Sequence, residues 1–146
     1  MKIKELSIGN YVYYNKQRLP MKVYSLSSPM PDKSEYFNNK ETVTLWCDGL
    51  ITATMEQIDG IPITHTLLLD NGFKQTVTDG MVSFTIDVLC HNTIPISLIE
   101  TINGVYDITY CGYNSHIAIM YVHELQNIFS IITGRNIQLN ILNKNG

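Results

Sequence analysis

The chain has 146 residues, 45% of them hydrophobic and only 16% charged, with a formal net charge of −3. That length suits about one ordinary domain, and the charged fraction lies below the roughly 25% usual for globular chains. No stretch reaches the roughly 18 apolar residues of a membrane span, and Met1-Lys2-Ile3-Lys4-Glu5 lacks the apolar run of a signal peptide.

Charge is unevenly spread. Residues 1–40 carry seven basic and three acidic side chains, residues 41–134 one basic and ten acidic, and the last twelve add Arg135 and Lys144. Either the ends complement the acidic middle, inside one molecule or between copies as in a homo-oligomer, or the N-terminal part meets an anion. Lys16, Arg18, Lys22, Lys33 and Lys40 are scattered and form no basic stripe, so nucleic acid is not the expected partner. The three cysteines, Cys47, Cys90 and Cys111, are odd in number and show no C-x-x-C spacing. Each lies in an apolar run, which predicts buried reduced thiols, no zinc ribbon and a cytoplasmic location.

In chain order, residues 8–14 read as a strand entered through a Gly turn, and alternation at 21–26 predicts its hairpin partner. Residues 27–41 are polar and predict a long loop bearing Tyr36 and Phe37. Asp48-Gly49 marks a hairpin between 42–47 and 50–56. A strict two-residue turn would set Val43, Leu45 and Cys47 beside Thr52 and Thr54. One more loop residue sets them beside Ile51, Ala53 and Met55, and that register is expected because a slip would turn a whole face out of the core. Trp46 then points away from the core.

Thr64 is placed to cap a two-turn helix, with Ile63 and Leu68 as a hydrophobic staple and Asn71-Gly72 as the stop. Residues 73–120 read as an antiparallel meander with turns at Asp79-Gly80 and Asn103-Gly104. Over 121–133, Val122, Leu125, Ile128, Phe129 and Ile132 form one apolar stripe of a helix. His123, Gln126, Asn127 and Ser130 lie opposite, on an expected solvated face. Ile137, Leu139 and Ile141 alternate as a final strand.

The candidate chemistry is sparse. His123-Glu124-Leu125-Gln126-Asn127 resembles H-E-x-x-H, but Asn127 replaces the second imidazole, which excludes a zinc protease. Cys90-His91 are strand neighbours whose side chains diverge. If Asn103-Gly104 closes a two-residue turn, Glu100 faces Asp107, a repulsive pair open to a shared proton or a cation. No Gly-rich phosphate loop and no G-x-S-x-G occur. The aromatics are the remaining signal: Tyr14, Tyr36, Phe37 and Trp46, with Lys22 and His123, are the candidate binding residues.

Several stretches resemble small proteins of Bacteroides-type gut bacteria and their phages, a group with no assigned activity. They are Met1-Lys2-Ile3-Lys4-Glu5-Leu6-Ser7-Ile8-Gly9-Asn10-Tyr11-Val12, Ile61-Pro62-Ile63-Thr64 with Leu67-Leu68 and Gly72-Phe73, and Tyr121-Val122-His123-Glu124-Leu125-Gln126-Asn127 with Thr133-Gly134. The resemblance implies a phage or mobile-element origin and assigns no functional residue. Ile8-Gly9-Asn10-Tyr11-Val12 also resembles the opening of SH3-like barrels, which alone carries no function.

The expected fold is α+β: a small SH3-like β barrel over 1–60, then over 61–146 an antiparallel meander covered by one C-terminal amphipathic helix. The expected function is non-enzymatic binding of an unknown protein partner, without cofactor or metal. The alternative is sequestration of a small anionic ligand such as a nucleotide signal, with Tyr and Trp faces stacking a base beside a cation.

Overall fold

The computed structural model of the chain describes residues 1–16, 18–27, 40–89 and 93–141. Alternating apolar positions and Gly- or Asp-centred turns form ten strands there, and two helically spaced segments form α-helices. The chain divides into two units, Met1–Ile61 with Val122–Ile128, and Pro62–Tyr121 with Phe129–Gly146. The class is α+β, with two antiparallel five-stranded sheets and one C-terminal helix.

The first sheet contains β1 (Tyr11–Tyr14), β2 (Leu19–Ser27), β3 (Thr42–Trp46), β4 (Leu50–Thr54) and β5 (Ile58–Gly60), in the order β4-β3-β2-β1-β5. A 3-10 turn, Met55–Gln57, joins β4 to β5. Among the described residues β4 and β5 do not pair with each other. The sheet is therefore open in its hydrogen bonding, where the sequence suggested a closed barrel. The reason is the brevity of β5, whose three residues pair with β1. The β3–β4 hairpin keeps three residues in its loop and pairs Val43 with Ala53, Leu45 with Ile51 and Trp46 with Leu50, as the apolar pattern requires. Val43, Leu45 and Ala53 are fully buried with Leu6, Val12, Met21, Val23 and Ile58. Burial of each larger aliphatic among them stabilises by roughly 1.5–3 kcal/mol.

In the second unit, α1 (His65–Asp70) begins at Thr64, whose Oγ1 accepts the Leu67 N–H at 3.2 Å. Buried Ile63 and Leu68 flank that cap. The sheet runs β10-β9-β8-β7-β6, from β6 (Lys74–Thr78), β7 (Met81–Leu89), β8 (Thr93–Ile102), β9 (Val105–Tyr110) and β10 (Tyr113–Ile119). Phe84, Ile96, Leu98, Tyr106, Ile108 and Ile119 are buried from its strands. The opposite face is polar, with Thr85 and Ser97 joined across strands at 2.7 Å.

Helix α2 (Val122–Thr133) forms over the expected residues. Val122 and Leu125, in the first unit, are fully buried. Phe129, in the second, sets its ring edge-on to Phe73 at 6.2 Å. Three local expectations change. Residues 137–141 form no strand: Leu139 is buried, but Asn140 is held by side-chain bonds from Asn71 (2.6 and 3.3 Å), so the alternation meets no partner strand. Cys111 is exposed, because it sits in the turn before Gly112 with φ 49°. Glu100 does not face Asp107, for the reason given below. Cys90 and His91 lie outside the described residues.

Candidate functional site

Strand pairing builds an outward row on the first sheet. Tyr11 pairs with Lys22, Lys22 with Trp46, and Trp46 with Leu50. Directly opposed residues of antiparallel strands share a face. Their sequence neighbours Val12, Met21, Val23 and Leu45 are all buried, so this row looks outward. Trp46 is 52% exposed and Leu50 60%. The Lys22 ammonium stands 5.9 Å from the centre of the Tyr11 ring, a cation–π spacing. Tyr24, two residues along β2 from Lys22, faces outward as well and is 59% exposed. These aromatic and aliphatic side chains border the Lys22 ammonium.

Of the residues singled out from sequence, Lys22 and Trp46 meet in this row. Tyr14 does not: it shares a face with Val12 and packs on the first core. Tyr36 and Phe37 lie outside the described residues. His123 was expected on a solvated helix face and is instead 2% exposed. Burial holds its pKa below the usual imidazole value, against the opposing pull of Glu124 and Glu5.

On the polar side of α2's first half His123 and Gln126 are buried and Asn127 is half-buried, and the two amides serve the N-terminal segment. Gln126 Oε1 accepts the Tyr11 N–H at 2.8 Å and Gln126 Nε2 donates to the Gly9 carbonyl at 3.3 Å. Asn127 accepts from Asn10 Nδ2 at 3.0 Å and donates to the Glu5 carbonyl at 2.9 Å. These bonds fix the start of β1 and so the position of Tyr11. Tyr11 stands out in the sequence as one of four tyrosines crowding the first hairpin but is not among the candidate binding residues, and neither is Leu50; alternation from Trp46, once the hairpin register is known, identifies Leu50.

A second polar cluster lies in the other unit. Only Gly104 of the Asn103-Gly104 pair takes a positive φ, 80°, whereas Asp79 and Gly80 both do, at 52° and 80°. The first turn therefore lacks the two-residue mirror-image form and leaves an extra residue on β8. The register shifts between Glu100 and Ile102, so Glu100 faces Tyr106, and Asp107 faces Ile99. Glu100 accepts from His65 Nε2 at 2.9 Å and from the Gly104 N–H at 3.2 Å. Burial pushes the Tyr106 phenol up to about 12, and the Glu100 carboxylate adds to the shift. The His65 ring leans on Phe84 at 4.8 Å, and Phe84 meets Tyr106 edge-on. With both carboxylate oxygens engaged, the cluster ties the start of α1 to the β8–β9 turn.

Among the described residues no group of three or more His, Cys, Asp or Glu side chains could hold a metal ion, and no helix is long and apolar enough to cross a membrane. Comparison with protein-family models, curated proteins and solved structures gives no match for this chain.

Proposed function

We propose that this chain is a non-enzymatic recognition protein, and that the outer face of its first sheet docks a protein partner. The supporting observation is the row Tyr11–Lys22–Trp46–Leu50, in which large apolar side chains stay in water around a single ammonium. Exposed Trp and Tyr at the centre of a patch are the residues that dominate interface energies. The complementary segment presents an apolar side chain next to a carboxylate, which would meet Lys22. Strand order β4-β3-β2-β1-β5, with a 3-10 turn before the last strand, supports reading this unit as an SH3-like barrel type. A phage or mobile-element origin rests on the sequence resemblance alone, and a place in the cytoplasm on the cysteine pattern.

A nucleotide-like anion is the second reading, favoured by the Lys22–Tyr11 spacing. Affinity capture from bacterial lysate with wild type, Trp46→Ala and Lys22→Glu separates the two. The expected result is a partner lost about 30-fold with Trp46→Ala, a hot-spot cost of about 2 kcal/mol. Equal capture by all three proteins overturns the proposal. A melting temperature raised by one nucleotide of a panel, by mass action, replaces it with the second reading.

A further inference from the structure

The second sheet leaves one edge half paired. Strand β6 covers β7 only from Met81 to Thr85, where the ladder ends at Lys74. It ends there because the preceding N–H groups are turned into α1: Gly72 donates to the Leu69 carbonyl and Phe73 to that of Leu68. Strand β8 continues along the other side of β7 to Leu89. Residues 86–88 therefore have a paired strand on one side only, among the described residues.

Which main-chain groups face that open side follows from the hairpin. Asp79-Gly80 closes a two-residue turn with both φ values positive, so the flanking Thr78 and Met81 exchange hydrogen bonds. Hydrogen-bonded pairs recur at every second residue, giving Thr76 with Ser83 and Lys74 with Thr85. The next in the series is Asp87. An independent observation agrees. Pro95, opposite Asp87, turns its carbonyl away to accept the Cys111 N–H at 3.2 Å. The Asp87 N–H and carbonyl thus point out of the sheet, where a sixth strand would continue.

Beside this edge is a cleft of about 270 Å³, lined by Ile86, Asp87, Val88, Phe129, Ile137 and the exposed Arg135. That volume is below the roughly 300–1,000 Å³ of small-molecule pockets and suits a side chain carried on a strand. We infer that the β7 edge at Asp87 binds an extended peptide by strand addition. The peptide's main chain pairs with Asp87, one apolar side chain enters the cleft, and an acidic group nearby meets Arg135. Main-chain bonds supply affinity and the side-chain pocket supplies selectivity in this recognition mode. The site shares no residue with the Trp46 face, so either proposal can fail alone.

The test is selection of a displayed random octapeptide library on the full chain, with the enriched peptide synthesised for titration. Enrichment of alternating apolar sequences bearing an acid is expected, with amide shifts at Asp87 and Val88 in NMR spectra. Asp87→Pro removes the outward N–H and leaves the β8-side bonds of Ile86 and Val88; it should weaken binding at least tenfold. Ile137→Asp, which leaves the strand intact, should do the same, and Arg135→Glu should abolish the preference for acidic peptides. No enrichment, shifts confined to residues around Trp46, or undiminished binding by folded Ile137→Asp each overturn the inference.

Discussion

Gln126→Ala probes the bonds that hold the start of β1. Gln126 is 6% exposed, and both ends of its amide are engaged by main chain, the Tyr11 N–H at 2.8 Å and the Gly9 carbonyl at 3.3 Å. Truncation strands a shielded donor, at about 1–3 kcal/mol, and removes a second bond of about 0.5–1.5 kcal/mol. Together they cost about 1.5–4.5 kcal/mol, against a total stability of roughly 5–15 kcal/mol for a native domain. Urea unfolding followed by tryptophan emission is the assay, because Trp46 is the only tryptophan and lies in the same unit. The midpoint should fall at an unchanged denaturant slope, with a melting temperature lower by about 3–18 °C, since each kcal/mol is worth about 2–4 °C at this chain length. Hydrogen exchange should accelerate at the Tyr11 amide more than at Leu45, in the centre of the sheet. A loss below about 0.5 kcal/mol, the range of ordinary surface substitutions, would refute the argument that this helix face is structural.

Other outcomes follow from the same structure. His123 binds its proton less readily when folded, so the unfolded chain protonates first as pH falls below about 6.5; stability declines from that point toward acid, and His123→Gln should flatten this arm of a pH–stability curve. The Tyr106 phenol, raised to about 12, favours the fold less as pH climbs through and beyond the usual value of about 10. Ultraviolet titration should show a late-ionising tyrosine that disappears in Tyr106→Phe. Leu125→Ala, at a fully buried position, should cost about 2–5 kcal/mol by equilibrium unfolding. Trp46→Ala, by contrast, should change stability by no more than about 0.5 kcal/mol, which separates a binding residue from a core one.

Much of the local structure is legible in the sequence because it is set by local chemistry. Thr64, Asn71-Gly72 and Asp79-Gly80 mark their elements through caps and turns that need particular residues. The 43–45 and 51–53 alternation fixes the hairpin register, because the wrong choice would put apolar side chains in water. Misreadings arise where distant partners decide. A helical stripe identifies the apolar side of α2, but nothing in the period says that Gly9 and Tyr11 will meet the other side, so His123 and Gln126 read as solvated. One residue of turn geometry at Gly104 separates Glu100 from Asp107. Alternation over 137–141 is a strand pattern without a strand beside it. For the candidate site, Trp46 is legible as outward-facing from its own hairpin. The neighbour it acquires, Lys22, comes from β2–β3 pairing across a long connection, which periodicity does not encode.

The most direct test of the account is collisional quenching of Trp46 in the free protein, by iodide and by caesium. An indole half in water beside Lys22 should be quenched by both ions and more strongly by the anion, with the preference lost in Lys22→Glu. Blue-shifted emission resistant to both quenchers would mean that the Tyr11–Lys22–Trp46–Leu50 row is covered, and the proposed recognition face would not exist.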